Sequence, residues 1–348
     1  PQFNGGNKVT KSKTVFLTAL CFALITAAGA QQKEPLKLLH SIPVPGLHDG
    51  DFDHFVVDLP GTRLFATAEE NSKVLVFDLR TNKLIHSLDD LKAPHSMAYR
   101  GDLKKLFVVD GDLGEIKIYN TDTYKPEGTI KVREGADSST YDPSTKYLYV
   151  VNGGKDAKLP NAYISIIDTT TGKQIADVKM DTDDVEAMAL EKSGPRLFAD
   201  LRGSNAVAVL DRKDNKVVAT WPIAEQGKKP TTIAYDEANH RLFVGTRDPG
   251  KLLVLDSESG KLITSLPAVA MVDDMIYDKA HKRIYFAGSE FTDVFVQRDP
   301  DHYERIAHVP TAFRAKTAIL LPERNEFILA VPHHEKQIAE VRIYQINP

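Results

Sequence analysis

The chain has 348 residues, of which 42% are hydrophobic and 26% charged, and its formal net charge is −4 at pH 7. This composition is typical of a globular protein, and the acidic balance argues against a general binder of nucleic acids or anionic membranes, which would be basic. The one cysteine, Cys21, lies in an apolar run near the N-terminus. The rest of the chain can therefore form neither a disulfide nor a thiolate metal site.

A basic segment followed by an apolar one opens the chain. Three lysines precede the run TVFLTALCFALITAA, which ends in the small residues AGA at 28–30. This order is typical of a secretory signal peptide, and the run is shorter than the ~20 residues that cross a bilayer. We predict a leader over residues 1–30, cleaved near Ala30, and a periplasmic or secreted mature protein. Cleavage leaves 41 basic against 48 acidic residues, a net charge of −7, and no later segment predicts a membrane span.

Short strand-like segments recur at a nearly constant interval after residue 35. A bulky apolar residue near the start of the second strand of each unit returns at spacings of 42, 42, 49, 45, 42 and 43 residues. These seven reference residues are Leu64, Leu106, Leu148, Leu197, Leu242, Ile284 and Phe327. A period of roughly 40–50 residues, built of short strands and turns, is typical of propeller blades.

Each unit contains four predicted strands in the same order. A first strand such as MAYR or IAYD leads into a tight turn, and a second such as RLFATA or KLFVVD follows. The third is of the type KVLVFD or EIKIYN, and an outer strand such as KLITSL completes the unit. The segments are rich in β-branched and aromatic residues, and none has the period of an amphipathic helix. The sequence therefore predicts an all-β fold.

The seventh unit ends after its third strand, EVRIYQI, and its outer strand comes from the other end of the chain. KLLHS at 37–41 closely matches KLIHS at 83–87, an outer strand of the first unit. We predict one domain over 31–348, a seven-bladed β-propeller of four-stranded blades closed by the N-terminal strand, which removes an exposed sheet edge. The predicted blades are about 47–91, 92–134, 135–182, 183–226, 227–269, 270–311, and 312–348 plus 35–46.

The repeats resemble those of the YVTN-type propeller family, bacterial exported proteins with repeats of the kind seen at 148–173, LYVVN followed by ISIIDTTTGK. The resemblance covers about residues 35–348. It implies a propeller that serves largely as a binding scaffold, without one shared chemistry. The GH…WD pairs, paired kelch glycines, Asp boxes and CxxCH motifs of other propellers do not occur in the sequence.

One face of the propeller is predicted to carry the function. The position eleven residues before each reference residue precedes the first, channel-lining strand, and it is polar or charged in all seven units. These residues are Asp53, His95, Asp137, Glu186, Thr231, Asp273 and Lys316. Two insertions, GGKDAKLPN and HHEKQ, lie between second and third strands and open on the same face. We predict a ligand site at this channel mouth, with Arg314 as a further member; the alternative is a mouth that is polar only because it holds water.

Charged residues of both signs are predicted at this mouth. The acids comprise Asp51, Asp53, Asp137, Asp183, Asp184, Glu186, Asp273 and Asp274. They could hold Ca²⁺ or Mg²⁺, which favour oxygen ligands, or form only a solvated rim. The cations comprise Lys229, Arg314 and Lys316, with Arg202 and Arg247. They could bind a carboxylate or phosphate, or simply pair with the acids.

Histidines cluster where blades seven, one and two meet. His333 and His334, His48 and His54, and His95 fall there, beside Asp51, Asp53, Glu69 and Glu70. Imidazoles with a carboxylate suit Zn²⁺, Cu²⁺ or non-haem iron, although no local ligand spacing such as HExxH occurs. We take His54, His95 and His333 as the candidate metal ligands, against the alternative of surface or channel histidines without a metal.

Three hypotheses for the function follow. No GxSxG, SxxK, GxGxxG or GxxxxGK[ST] motif occurs. The first hypothesis is a monomeric, exported binding protein that takes a small molecule or protein partner at the channel mouth. The second is a metal-dependent hydrolase similar to the propeller lactonases, with one divalent ion (Ca, Mg or Zn) in the channel, held by the histidines or by Asp53, Glu186 and Asp273. The third is a scaffold that contacts other proteins through its blade edges.

Overall fold

The computed structural model describes residues 1–7 and 34–348, and in the second range the β-branched and aromatic segments form short antiparallel strands. Residues 1–7 have no regular secondary structure. The predicted signal peptide falls largely within residues 8–33, so it lies outside the described residues. Within the described ranges, no helix is long and apolar enough to cross a membrane.

The strands of the first four blades follow one another in chain order. Blade 1 consists of β2 (Phe55–Asp58), β3 (Arg63–Ala68), β4 (Lys73–Asp78) and β5 (Lys83–Leu88), and blade 2 of β6 (Pro94–Arg100), β7 (Lys105–Asp110), β8 (Glu115–Asn120) and β9 (Pro126–Lys131). Blade 3 consists of β10 (Ser139–Asp142), β11 (Tyr147–Gly153), β12 (Ala162–Asp168) and β13 (Lys173–Lys179), and blade 4 of β14 (Met188–Leu190), β15 (Arg196–Leu201), β16 (Ala206–Asp211) and β17 (Lys216–Pro222).

The remaining blades differ in how the last one is completed. Blade 5 consists of β18 (Lys228–Asp236), β19 (Arg241–Asp248), β20 (Gly250–Asp256) and β21 (Leu262–Pro267), and blade 6 of β22 (Asp274–Asp278), β23 (Arg283–Ala287), β24 (Phe291–Asp299) and β25 (His302–Pro310). Blade 7 consists of β26 (Ala318–Leu321), β27 (Glu326–Val331), β28 (Glu340–Ile346) and β1 (Leu36–Pro43). Single 3₁₀ turns occupy Glu69–Asn71, Glu237–Asn239 and Pro322–Arg324.

The first strand of each blade contacts the first strand of the next, and β26 contacts β2, so the strands form a closed ring around a channel. Each interface between adjacent blades holds a hydrophobic cluster, seven in all. The seven reference residues lie in these clusters and are at most 1% exposed. The period seen in the sequence is therefore the period of blade-to-blade packing.

The N-terminal strand β1 closes the ring by pairing antiparallel with β28, from Leu36 opposite Ile346 to Pro43 opposite Glu340. It carries a register shift between Leu38 and His40, and every other outer strand has a comparable shift against its third strand. β1 thus has the geometry of an ordinary outer strand. The prediction of seven four-stranded blades closed by the N-terminal strand is confirmed.

Candidate functional site

A cavity of about 370 Å³ lies at the mouth of the channel, and its wall includes residues from all seven blades. The sequence-predicted residues on this wall are Asp53, His95, Asp137, Glu186, Thr231, Asp273 and Lys316 of the polar ring, Asp274, Arg202 and Arg247 of the charged sets, and His54 of the metal set. Of the remaining predicted residues, Arg314 and His333 do not line it. The structure therefore brings the residues of the polar ring together around one cavity. Arg314 and His333 lie outside this cavity, between blades 7 and 1.

Backbone hydrogen bonds set four of the wall acids at the same height. The amide N–H groups of Asp53, Asp137, Glu186 and Asp273 each donate to the carbonyl three residues after the reference residue of their blade. Donor and acceptor come from the same blade, so the bond ties the loop entering the first strand to the second strand. The regular −11 spacing in the sequence reflects this shared bond.

Asp53 lies between two imidazoles at the centre of the site. Its Oδ2 lies 2.7 Å from Nδ1 of His95, and its Oδ1 lies 3.0 Å from Nδ1 of His54. Burial works against the charge on Asp53, but the imidazoles outweigh it and hold the pKa of Asp53 well below its usual range. Burial likewise opposes protonation of the rings, yet the Asp53 carboxylate raises the pKa of His54 and of His95 to about 10.

The acids around this group bind their protons more tightly than usual. Burial is the main cause for Glu69, Glu186 and Asp274, whose pKa values rise to about 7. Burial also raises the pKa of Asp137, which lies 3.4 Å from Nδ1 of His95. Carboxylates that resist losing a proton favour any bound group that brings positive charge into the cavity.

The cations of the wall are already neutralised by carboxylates. Lys316 Nζ lies 2.6 Å from Asp273 Oδ2, and Arg247 pairs with the same carboxylate. Arg202 pairs with Glu186, and Lys155 Nζ lies 2.7 Å from Asp184 Oδ2. This paired arc belongs to blades 3 to 7 and leaves no unpaired lysine or arginine among the described wall residues.

The opposite side of the mouth keeps its negative charge. Within the described part of the chain, no Lys or Arg nitrogen lies within 4.0 Å of the carboxylates of Glu69, Asp137 or Asp156. These three, with His95, are shared by a second cavity of about 400 Å³ over blades 1 to 3, to which Asp112 and Glu134 add two more acids. The mouth therefore has an acidic side over blades 1 to 3 and a side over blades 3 to 7 where lysines and arginines are paired with carboxylates.

Arg314 and the outer histidines fasten the seam between blades 7 and 1. Arg314 pairs with Asp51 at 2.6 Å, with Asp49 at 3.0 Å and with Glu70 at 3.3 Å. His334 Nδ1 lies 2.7 Å from Asp49 Oδ2, and His333 forms a backbone bridge to Gly50. The histidines that cluster in the sequence thus divide into a cavity pair, His54 and His95, and an outer group at the seam.

The sequence placed Glu69 beside the clustered histidines but not among the candidate ligand residues, although a second register would have included it there. The position five residues after the reference residue holds Glu69 in blade 1, Arg202 in blade 4 and Arg247 in blade 5, and all three line the cavity. Lys155 and Asp156 reach the wall from the blade 3 insertion. The second ring of side chains therefore comes from the loops between second and third strands.

Asp200 is a buried acid just behind the mouth. Its side chain is fully buried, and both carboxylate oxygens lack a hydrogen-bond partner among the described residues. Its backbone carbonyl accepts the N–H of Glu186. Burial, and then the charge of Glu186, raise the pKa of Asp200 well above its usual range.

Asp200→Asn should stabilise the protein at pH 8 and change little at pH 4. Because the folded state holds this proton more tightly than the unfolded state, the wild-type free energy of unfolding falls as pH rises above the unfolded pKa, by about 1.4 kcal/mol for each unit of pKa shift. Urea unfolding at both pH values measures the difference, with the exposed Asp112→Asn as control. An equal gain at pH 4 and pH 8 would show that the carboxyl proton is not the cause.

These features define the chain as a seven-bladed β-propeller with a charged channel mouth. No protein-family model and no curated protein matches the sequence. The structure is similar to a chain of the mitotic checkpoint complex (TM-score 0.73, 14% identity, 97% of this chain and 100% of that chain covered). It is also similar to the RRP9 WD40 repeats (TM-score 0.73, 10% identity, 90% and 100% covered) and to hydrazine synthase of Kuenenia stuttgartiensis (TM-score 0.70, 17% identity, 86% and 98% covered).

At these identities the similarity establishes the architecture alone. The chain is a seven-bladed β-propeller whose architecture is similar to that of WD40 repeat structures.

Proposed function

We propose that this protein is an exported binding protein of the YVTN type, and that its channel mouth takes a positively charged ligand, a small molecule or a segment of a partner protein. The observation that carries the proposal is the cavity to which all seven blades contribute, with paired lysines and arginines on one side and, on the other, carboxylates that no lysine or arginine of the described residues neutralises. Export is supported by the leader pattern of residues 1–30. Recovery of the protein from its host with that leader intact would contradict export.

The charge of the wall selects among ligands. An anion would have to displace Asp273 from Lys316 and Arg247, or Glu186 from Arg202, and each displaced carboxylate would stay in the half-buried cavity. At Glu69, Asp137 and Asp156 a cation displaces no lysine or arginine among the described residues, and the positive neighbour of Glu69 and Asp137 is His95, which is shared with Asp53. The acidic net charge of the mature chain adds long-range attraction for the same kind of ligand.

The similar WD40 structures support a partner protein as one source of this positive charge. One belongs to the mitotic checkpoint complex, which is an assembly by name. A lysine or arginine side chain is long enough to enter a cavity of this volume while the rest of its chain stays on the mouth face. Protein and small-molecule ligands thus share one chemistry here, an ammonium or guanidinium group among carboxylates.

Trilysine is a suitable probe for this proposal. We expect it to bind the wild-type protein, and Glu69→Gln/Asp156→Asn to weaken binding about thirtyfold, since each of the two lost contacts between unit charges is worth about 1 kcal/mol near water. Isothermal titration calorimetry at low ionic strength measures both. The binding should also weaken as salt is added.

The matched control removes two acids from the opposite face. Asp122→Asn/Asp214→Asn changes the net charge equally, and both residues are exposed in turns far from the mouth. We expect this variant to bind trilysine as the wild type does. Equal weakening by the two double variants would mean that overall charge, and not the mouth, attracts the peptide.

Two other functions give different results. A lactonase-like hydrolase is favoured by one observation, the proximity of Asp53, Glu69 and His95, and it requires hydrolysis of a lactone that stops on chelation. A scaffold that acts through its outer blade edges would lose its partner on substitution of rim residues and keep it when the mouth is altered.

A further inference from the structure

We propose that Asp53, Glu69 and His95 form a binding site for a divalent transition-metal ion such as Zn²⁺, with the Nε2 atom of His95 and the carboxylate of Glu69 as direct ligands. This set differs from the histidine set that the sequence suggested, because Asp53 and Glu69 take the places of His54 and His333. The inference rests on the proposed function, since it names an inner ligand of the same mouth.

The three side chains already have the spacing of a coordination sphere. One potential ligand atom from each lies within 4.8 Å of the other two. His95 Nε2 is 3.7 Å from Glu69 Oε1, which is too far for a hydrogen bond. Two ligands that each lie about 2.0–2.1 Å from one ion are separated by about 3–3.5 Å, so a shift of a few tenths of an ångström completes the pair.

Asp53 fixes the orientation that the site needs. Its Oδ2 lies 2.7 Å from His95 Nδ1, so it accepts that N–H, and Nε2 is the nitrogen that can bind an ion in exchange for its proton. A carboxylate that holds the second nitrogen of a metal-bound imidazole is the usual arrangement around metal-ligating histidines. The other oxygen of Asp53, Oδ1, lies 3.0 Å from His54 Nδ1, so this second contact helps to fix the carboxylate that orients the His95 ring.

Space at Nε2 is provided by Gly111. This residue occupies in blade 2 the register that Glu69 occupies in blade 1, and a Cβ atom there would lie 2.8 Å from the Ala136 carbonyl oxygen and 2.9 Å from His95 Nε2. Its φ angle is not positive, so the backbone conformation does not itself call for glycine. The missing side chain leaves room both for the Ala136 carbonyl and for the edge of the imidazole, and Gly111 and His95 both line the second cavity.

The ligand types favour a borderline ion over a hard one. An imidazole nitrogen with a carboxylate suits Zn²⁺ and its first-row neighbours, whereas Ca²⁺ and Mg²⁺ prefer sites made of oxygen alone. Asp137, with its Oδ1 3.4 Å from His95 Nδ1, adds negative charge beside the site. The ion must displace a proton from His95, so its affinity should rise with pH.

Zn²⁺ alone is the probe for the test. Protein stripped with a chelator is dialysed against Zn²⁺ and its metal content measured by elemental analysis; we expect one ion per chain. Glu69→Gln and His95→Gln should each weaken Zn²⁺ binding at least tenfold, and Asp53→Asn about 10–100-fold, the usual loss when a carboxylate behind a ligating histidine is removed. Co²⁺ in place of Zn²⁺ should give a visible absorption band that Glu69→Gln abolishes.

The control is Glu70→Gln, the same substitution at the next residue, whose carboxylate faces Arg314 at the seam. It should bind Zn²⁺ as the wild type does. If His95→Gln fails to fold, Glu69→Gln decides, because Glu69 lies on a surface turn. Equal losses in Glu69→Gln and Glu70→Gln overturn the site. Absence of stoichiometric Zn²⁺ with trilysine binding intact overturns the metal site alone, whereas loss of both overturns the proposed function as well.

Discussion

Ile42→Asp should destabilise the propeller by roughly 4 kcal/mol, the combined effect of losing a buried aliphatic side chain and burying an unpaired charge. Ile42 is 2% exposed and packs in the cluster between blades 7 and 1. Urea unfolding followed by the fluorescence of Trp221, the only tryptophan, measures the loss. Trp221 lies in blade 4, so its signal reports whether a break in blade 7 unfolds the whole ring.

The matched control is Leu38→Asp on the same strand. Leu38 is 48% exposed, so a carboxylate there stays in water and the free energy of unfolding should change by less than about 1 kcal/mol. Equal losses in the two variants would mean that β1 does not bury one face against the ring. A Trp221 signal that is unchanged by Ile42→Asp would show that the blades unfold independently.

Asp53→Asn should lower the pKa values of both His54 and His95 and destabilise the protein by about 2–4 kcal/mol at pH 6, because it leaves two half-buried imidazoles without their shared partner. Histidine side-chain NMR titration measures the pKa values, and urea unfolding measures the stability. The amide has the size of the carboxylate, so packing changes little.

The effect on stability depends on pH in a defined direction. The folded pKa of about 10 for both rings exceeds the unfolded value of 6.5, so their stabilisation is complete below pH 6.5 and is lost as pH rises towards 10. Asp53 has a lowered pKa, so its contribution is present above its unfolded value of 3.8 and is lost in stronger acid. The difference between wild type and Asp53→Asn should therefore be largest between about pH 4 and 6.5.

Asp273→Asn is the control for this prediction. It removes a carboxylate from the same cavity, but one that pairs with Arg247 and Lys316. The histidine titrations should therefore change far less than in Asp53→Asn. Histidine pKa values that stay near 10 in Asp53→Asn would contradict the assignment of Asp53 as their partner.

The fold was predictable because the same physical requirement repeats in every blade. A bulky residue must fill each interface, and Leu64 and its six counterparts recur at the spacing this demands. The outer strand at 37–41 was recognisable because it copies 83–87, and in each strand the next residue, Ile42 or Leu88, is buried. Such local patterns survive in the sequence without any knowledge of distant contacts.

Pairing within the mouth could not be predicted in the same way. Whether a carboxylate is neutralised depends on side chains from other blades, so Asp273 meets Lys316 while Asp137 meets no lysine or arginine among the described residues. The position of a histidine also depends on distant residues. His333 lies at the seam because its backbone forms a bridge to Gly50, which is far away in the sequence. The −11 register was visible, but the partners of its members were not.

The pairing of β1 with β28 also determines on which face of the propeller its two ends lie. Strand β1 starts beside the end of β28, where Asn347 N–H donates to the Pro35 carbonyl at 2.9 Å, and its other end meets Glu340 on the mouth face. Both ends of the propeller therefore emerge on the face opposite the mouth. A tether or fusion partner attached at either end would therefore lie on the face opposite the mouth and leave the acidic mouth open to a ligand.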